Sequence, residues 1–277
     1  VTSPHVFRVV RHGAAAVVAA AALTATAACS SASDEPATAA ATRPTTSPPT
    51  TSLTTVAADA GDVRAACAAE VAINSLGFPG SDPAAPAPTA AELRAFATAA
   101  EPLAATLRAS VPAELTSKVD VLISVVNSAR QGQPIDYEGS GLFAAGQIVD
   151  AWMVDNCGYP TLAVTNDAGT LTGLPETAPA GPVAITFTNA GDDPAKAGFV
   201  LLFAKVKDGV TATAAGLADG STSLESATDI VSAVQPQGDS PGYGLAELPA
   251  GRYIVASPLG SPPDFAGGFA ARELHVR

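Results

Sequence analysis

"AITFTNAGDDPAKAGFVLLF", residues 184–203, decides what the second half of the chain is. Val183, Ile185 and Phe187 alternate with small or polar residues, the period of a strand with one buried face. A longer apolar run extends from Phe199 to Val206. Between them lie Asn189, Gly191, Asp192, Asp193 and Pro194, residues that make corners. The stretch therefore predicts two strands joined by a turn, and a turn of this kind can hold a metal or a ligand.

Working outward, the period of two persists through residues 160–277. Strands are expected near 162–165, 183–189, 199–207, 243–248, 252–256 and 269–276, with Gly and Pro punctuating them. Short strands at this spacing point to a sandwich or an open barrel. Residues 211–237 break the pattern and predict a loop with a short helix around 224–234.

Upstream, residues 60–158 have a helical period. Val63, Cys67 and Val71 share one face of a helix over 62–76. Thr89 and Glu92 form a capping box. The helix behind it carries Leu93, Phe96, Ala100, Leu103 and Leu107, with Pro102 as a possible kink. A third helix is expected from Pro112, with Leu115, Val119, Leu122 and Val126 inside. A fourth covers 142–156, with Ala145, Val149 and Trp152 inside and Gly158 as its stop. Four antiparallel amphipathic helices predict a small bundle with Phe143 and Trp152 in its core.

The N-terminus has the order of an export signal. Arg8 and Arg11 precede an apolar stretch at 14–22, too short to span a bilayer. "LTATAACSS" then resembles a bacterial lipobox, which implies cleavage before Cys29 and acylation of its thiol (palmitate). Residues 29–59 are Ser, Thr, Pro and Ala, too polar to fold, and are expected to be a disordered tether. Losing residues 1–28 removes two of the 14 basic residues and none of the 26 acidic ones, leaving a formal charge of −14. That excess argues against a nucleic-acid partner and against a helix lying on anionic lipid. Membrane attachment is expected through the acyl chains, to the outer face of the bacterial cytoplasmic membrane.

Cys67 and Cys157 are the two remaining cysteines. In an exported protein an isolated pair most often forms one disulfide, two free thiols or a metal pair being the alternative. A disulfide would tie the first predicted helix to the end of the fourth.

"AGPVAITFTNAGDDPAKAGFVLLFAKVKDGVT" and "GYGLAELPAGRYIVASPLGSPPDFAGGFAARELHV" together resemble the two halves of cupredoxin-like domains. The order of helices, the Cys-Gly end in "DNCGYP" and this domain is similar to actinobacterial envelope lipoproteins. The resemblance implies a multi-domain α+β chain. It would run as signal peptide 1–28, tether 29–59, small four-helix bundle 60–158 and cupredoxin-like antiparallel β-sandwich 160–277. In copper-binding relatives a His, a Cys, a second His and usually a Met hold the metal. Their places fall near Ala195 or Ala197, near Ala256 or Ser257, near Asp264 and near Phe269. No type 1 copper site, and no other cofactor, is therefore expected.

The inventory also limits enzymology. After residue 28 the sole histidine is His275, expected to face outward from the last strand. Nucleophilic triads and zinc sites need more. Asp192 with Asp193, or Asp136 with Glu138, could serve acid–base chemistry or calcium, but solvated turn carboxylates are commoner. Tyr243 and Tyr253 are expected within the sandwich, one bonding a corner through its hydroxyl. The expected function is thus a non-enzymatic binding or interaction module, for an unknown envelope protein or small molecule. Its candidate surface is the loop end that carries Lys196, Ser257, Asp264, Phe265 and Phe269. An accessory role in metal handling through carboxylates and a passive envelope spacer are the alternatives.

Overall fold

The computed structural model describes residues 60–81, 85–137, 139–262 and 265–277. The expected signal, Cys29, the tether, Glu138 and Asp264 lie outside the described residues. Helices come first: α1 (Ala60–Leu76), α2 (Ala90–Ser110), a 3-10 turn (Ala113–Leu115) leading into α3 (Thr116–Arg130), and α4 (Leu142–Asn156). Strands follow: β1 (Thr161–Asp167), β2 (Thr170–Thr172), β3 (Thr177–Ala178), β4 (Gly181–Ala190) and β5 (Leu201–Val206). Two short helices, α5 (Ala214–Ala218) and α6 (Leu224–Ala227), precede β6 (Thr228–Val234), β7 (Gly242–Leu248), β8 (Gly251–Pro258) and β9 (Phe269–Val276).

The helix signals act where the sequence places them. The Thr89 hydroxyl accepts from Glu92 N–H at 3.3 Å, and Glu92 Oε2 accepts from Thr89 N–H at 2.7 Å, so both ends of the capping box close. Pro102 sits inside a continuous α2. Fully buried Ala66, Ala97, Ala100 and Ala104 let the helices approach closely around Ile73, Leu93, Leu107 and Met153. The disulfide Cys67–Cys157 joins α1 to the residue after α4, with the Cα atoms 5.8 Å apart.

The helices do not form a closed four-helix group. α1 packs on α2, α2 on α3 and α3 on α4, but α1 and α4 pack on β7 more than on each other. Leu245 of β7 is part of the helical core. Trp152 is only half-buried and Phe143 is exposed, so neither fills a bundle centre; Met153 does. The turn of α4 that would close the bundle instead faces the edge of a sheet.

Two sheets make the sandwich, in the orders β2-β1-β4-β7 and β3-β9-β8-β5-β6. They are mixed, where an antiparallel sandwich was expected. β1 runs parallel to β4, and β3 runs parallel to β9. The cause is a crossing: β3 leaves the first sheet for the edge of the second, so the chain re-enters as β4 in the direction of β1. Between the sheets lie Val183, Ile185 and Phe187 from β4, facing Leu201, Phe203, Tyr253 and Val255. The Tyr253 hydroxyl donates to the Pro249 carbonyl at 2.8 Å and closes the turn before its own strand. β8 is buried on both faces, because α5 and α6 cover Ile254 and Ala256 from outside.

The helix expected over 224–234 stops after one turn. Thr228, Ile230 and Val231 are β-branched and join β5 as an edge strand. The edge strand β7 is handled by side chains. Gln147 Nε2 donates to Tyr243 O at 3.0 Å, and Gln147 Oε1 accepts from Tyr243 N–H at 2.9 Å. Asn74 Nδ2 donates to Leu245 O at 3.0 Å. Together they replace the missing neighbour strand and dock the helices.

Two outcomes are expected in urea unfolding followed by circular dichroism. Replacing Cys67 and Cys157 by Ser costs about 4 kcal/mol, since the bond closes a span of 90 residues. Gln147→Leu costs about 2 kcal/mol, because it removes the partners of a half-buried N–H and carbonyl on β7. A loss under about 0.5 kcal/mol for Gln147→Leu would show that the edge is satisfied by water instead.

Candidate functional site

The loop end of the sandwich is built to be closed. Asn166, fully buried, donates from Nδ2 to Asn189 Oδ1 at 2.9 Å and to the Lys196 carbonyl at 2.8 Å. Its Oδ1 accepts from Gly169 N–H at 3.1 Å. Asn189 in turn bonds both polar groups of the Gly198 backbone, at 2.7 and 2.9 Å. A side chain at position 198 would meet Ser257 Oγ at 2.5 Å and the Phe187 ring at 2.7 Å, so only Gly allows this approach.

The residues expected to offer a surface are mostly spent on this packing. Ser257 is fully buried. Phe265 is half-buried, its ring edge-on to Phe199 at 5.4 Å. Phe269 is half-buried against the cluster that holds Ile254 and Ala256. Lys196 is exposed, while its carbonyl is taken by Asn166. Asp192 and Asp193 are exposed turn residues, and the Asp193 carboxylate accepts from Ala195 N–H at 3.0 Å. Asp136 caps its own loop through Gly139 N–H at 2.8 Å. His275 is an exposed residue of β9. Among the described residues no three His, Cys, Asp or Glu side chains group as a metal site.

A different site lies among the helices. A cavity of about 140 Å³ is bounded by all four long helices. Its wall is mainly apolar, from Ile73, Leu107, Val119, Leu122, Leu142 and Val149. Into this wall α1 sends Glu70 and α4 sends Asp150. Glu70 is 7% exposed. Burial raises its carboxyl to about 7, against a smaller opposing pull from the Asn74 side chain. Burial also holds the Asp150 carboxyl well above the usual range, and the charge of Glu70 adds to that. Asp150 as a residue is half-buried, yet its Oδ1 is sealed from solvent and has no hydrogen-bond partner among the described residues. Lys118 of α3 also lines the cavity and makes no salt bridge among the described residues.

The cavity opens into a cleft of about 1000 Å³ between α1, α4 and the strands β6 and β7. Asn74, Phe78, Leu142, Phe143, Gln147 and Asp150 line both spaces, which makes them the passage. Phe143 and Ile230, 41% and 50% exposed, stand on the cleft walls. Tyr137 closes one side, its hydroxyl donating to the Pro79 carbonyl at 2.8 Å and pushed up to about 12 by burial. The arrangement is a two-part receptacle: a wide apolar vestibule and a narrow pocket with two carboxyl groups.

Sequence reasoning passed over Glu70 and Asp150. The signal was present. Glu70 lies three residues after Cys67 on the buried stripe of α1, and Asp150 lies three before Met153 on that of α4. A carboxylate on an apolar stripe is unusual enough to mark a site.

The raised carboxyls make stability depend on pH. A group that binds its proton more tightly when folded contributes fully below its unfolded value and loses that contribution as pH rises through the folded one. Stability should therefore fall between pH 4.5 and about 7, by an amount on the order of a few kcal/mol. Urea midpoints at pH 5 and pH 8 measure it. Glu70→Gln with Asp150→Asn should flatten the slope; an equally steep profile in that double variant would place its origin elsewhere.

No protein-family model matches the chain. No curated protein matches it either. Among solved structures it is similar to auracyanin B, a cupredoxin, at 15% identity with a TM-score of 0.27. The match covers 43% of this chain and 88% of that chain. A likeness of this size carries no argument about the site.

Proposed function

We propose that the protein is a lipid-anchored envelope protein whose folded part is a non-enzymatic binding module for a small molecule. The observation that carries this reading is the cleft of about 1000 Å³ running into a pocket of about 140 Å³. Binding sites are concave, mainly apolar and furnished with a few polar groups, and this pair of spaces has all three features. The site is the helix–sheet cleft, in place of the loop end at 192–198 and 257–268. There the hydrogen bonds are internal and the aromatic rings are packed.

The anchoring half of the proposal rests on "LTATAACSS" and the Ser/Thr/Pro run behind Cys29. Acylation at Cys29 would hold the module to the outer face of the membrane, and residues 29–59 would let it stand off by tens of ångströms. The β-part we read as a cupredoxin-like domain that keeps its scaffold without a type 1 copper site. The support is the inventory, with His275 as the sole histidine after residue 28.

Two measurements test the two halves. Cys29→Ser should move the protein from the membrane fraction to the soluble fraction; retention in the membrane would refute acyl anchoring. For the module, benzyl alcohol is titrated into isotopically labelled full-length protein and amide shifts are followed. Changes should concentrate around Phe143, Gln147 and Tyr243. Gly146→Leu should abolish them, because Gly146 lines the pocket and has open space beside it for a larger side chain. Shifts confined to 192–198 and 257–268 would return the site to the loop end. No shifts at all would favour a spacer.

A further inference from the structure

Resting on that reading of the cleft, we infer that the ligand is an organic ammonium, a primary amine on an apolar group of about benzene size, with its nitrogen between Glu70 and Asp150. Three observations lead there. The pocket holds two carboxyl groups and one of their oxygens, Asp150 Oδ1, is buried with nothing to accept from. A buried acceptor left unpaired costs about 1–3 kcal/mol, a cost that a donor placed between the two carboxyl groups would offset. Apart from Asn74, Gln147 and Lys118 the rest of the wall is mainly aliphatic and aromatic, which suits a hydrocarbon group. The volume, about 140 Å³, is close to that of cavities that admit benzene.

The alternatives fit less well. A hard divalent cation wants six or more oxygens. Here it would find two carboxyl groups and the Asn74 amide oxygen, still short of six, because both ends of the Gln147 amide are committed to β7. An anion would meet two acids. Lys118 is the one cationic side chain on the pocket wall, and it stands beyond salt-bridge distance from both carboxyls. An ammonium supplies up to three donors in a compact head, and its bonds to carboxylate are charge-assisted. Phe78 and Phe143 in the passage offer ring faces past which such a cation can move.

The test compares isosteres on the full-length protein by calorimetry at pH 8. Benzylamine, an ammonium at that pH, should bind about 10-fold tighter than benzyl alcohol, the difference between a charged and a neutral hydrogen bond. Asp150→Asn should shrink that ratio to about 2-fold, both affinities being measured in the same variant. Glu70→Gln serves the same purpose if the Asp150 variant does not fold. Gly146→Leu should abolish both ligands. Equal affinity for the two compounds, both lost in Gly146→Leu, would overturn the ammonium and leave the cleft reading standing. Amine binding that survives Gly146→Leu would place the amine elsewhere and overturn the inference. Calcium binding that is lost in Asp150→Asn would replace the ammonium by a metal. Heat from neither organic probe would overturn both readings together.

Discussion

The structure depends on how the open edge of β7 is satisfied. A sheet edge presents backbone donors and acceptors that must find partners or water. Here Gln147 supplies both an acceptor and a donor to Tyr243, and Asn74 a donor to Leu245. These bonds are specific in register, since each side chain meets one backbone position. They bring α1 and α4 down on the same strand, and that choice keeps the two helices from closing on each other. The cavity is the gap that results. The disulfide ties Cys67, less than one turn before Glu70 on α1, to Cys157 just after α4. Fold and receptacle thus have one origin.

A cavity with two carboxyls in it is expensive. Apolar volume lost to a void weakens packing, and buried acids resist ionisation. The chain offsets this with features that act elsewhere: a long disulfide loop, a capped α2, and a sandwich core whose largest side chains are fully buried. Simple selection for stability would fill the space. Gly146 could gain a side chain without meeting anything within 4 Å.

Much of this architecture is legible in the residues. The stripes of α2 and α3, the capping box and the alternation of Val183, Ile185 and Phe187 each depend on neighbours within a few positions, and each appears as expected. The cysteine pairing could be read because only two thiols remained. What could not be read depends on partners far along the chain. The parallel pairings need knowledge of which sheet β3 joins. The strand at 228–234 looks helical in amphipathy, and its β-branched residues become decisive only when β5 lies beside it. Phe143 carries no local mark that separates a core residue from a cleft wall. Glu70 and Asp150 are separated by 80 positions, so their meeting belongs to tertiary structure, although each is conspicuous on its own stripe.

Two polar clusters differ in how far their hydrogen-bonding capacity is met. Around Asn166 and Asn189 every side-chain amide group has a partner within the protein, at 2.7–3.1 Å, and the loop they hold has little left to offer. Around Glu70 and Asp150 the balance is reversed: one oxygen is sealed and unpaired, and the carboxyls are pushed toward their protonated forms. A satisfied network rigidifies; an unsatisfied one in a cavity waits for a partner. The aspartates of the 190–198 corner, conspicuous in the sequence, serve the turn. The acids hidden in the helices line the pocket beside Phe143, and the proposed binding rests on their combination of burial and unmet hydrogen-bonding capacity.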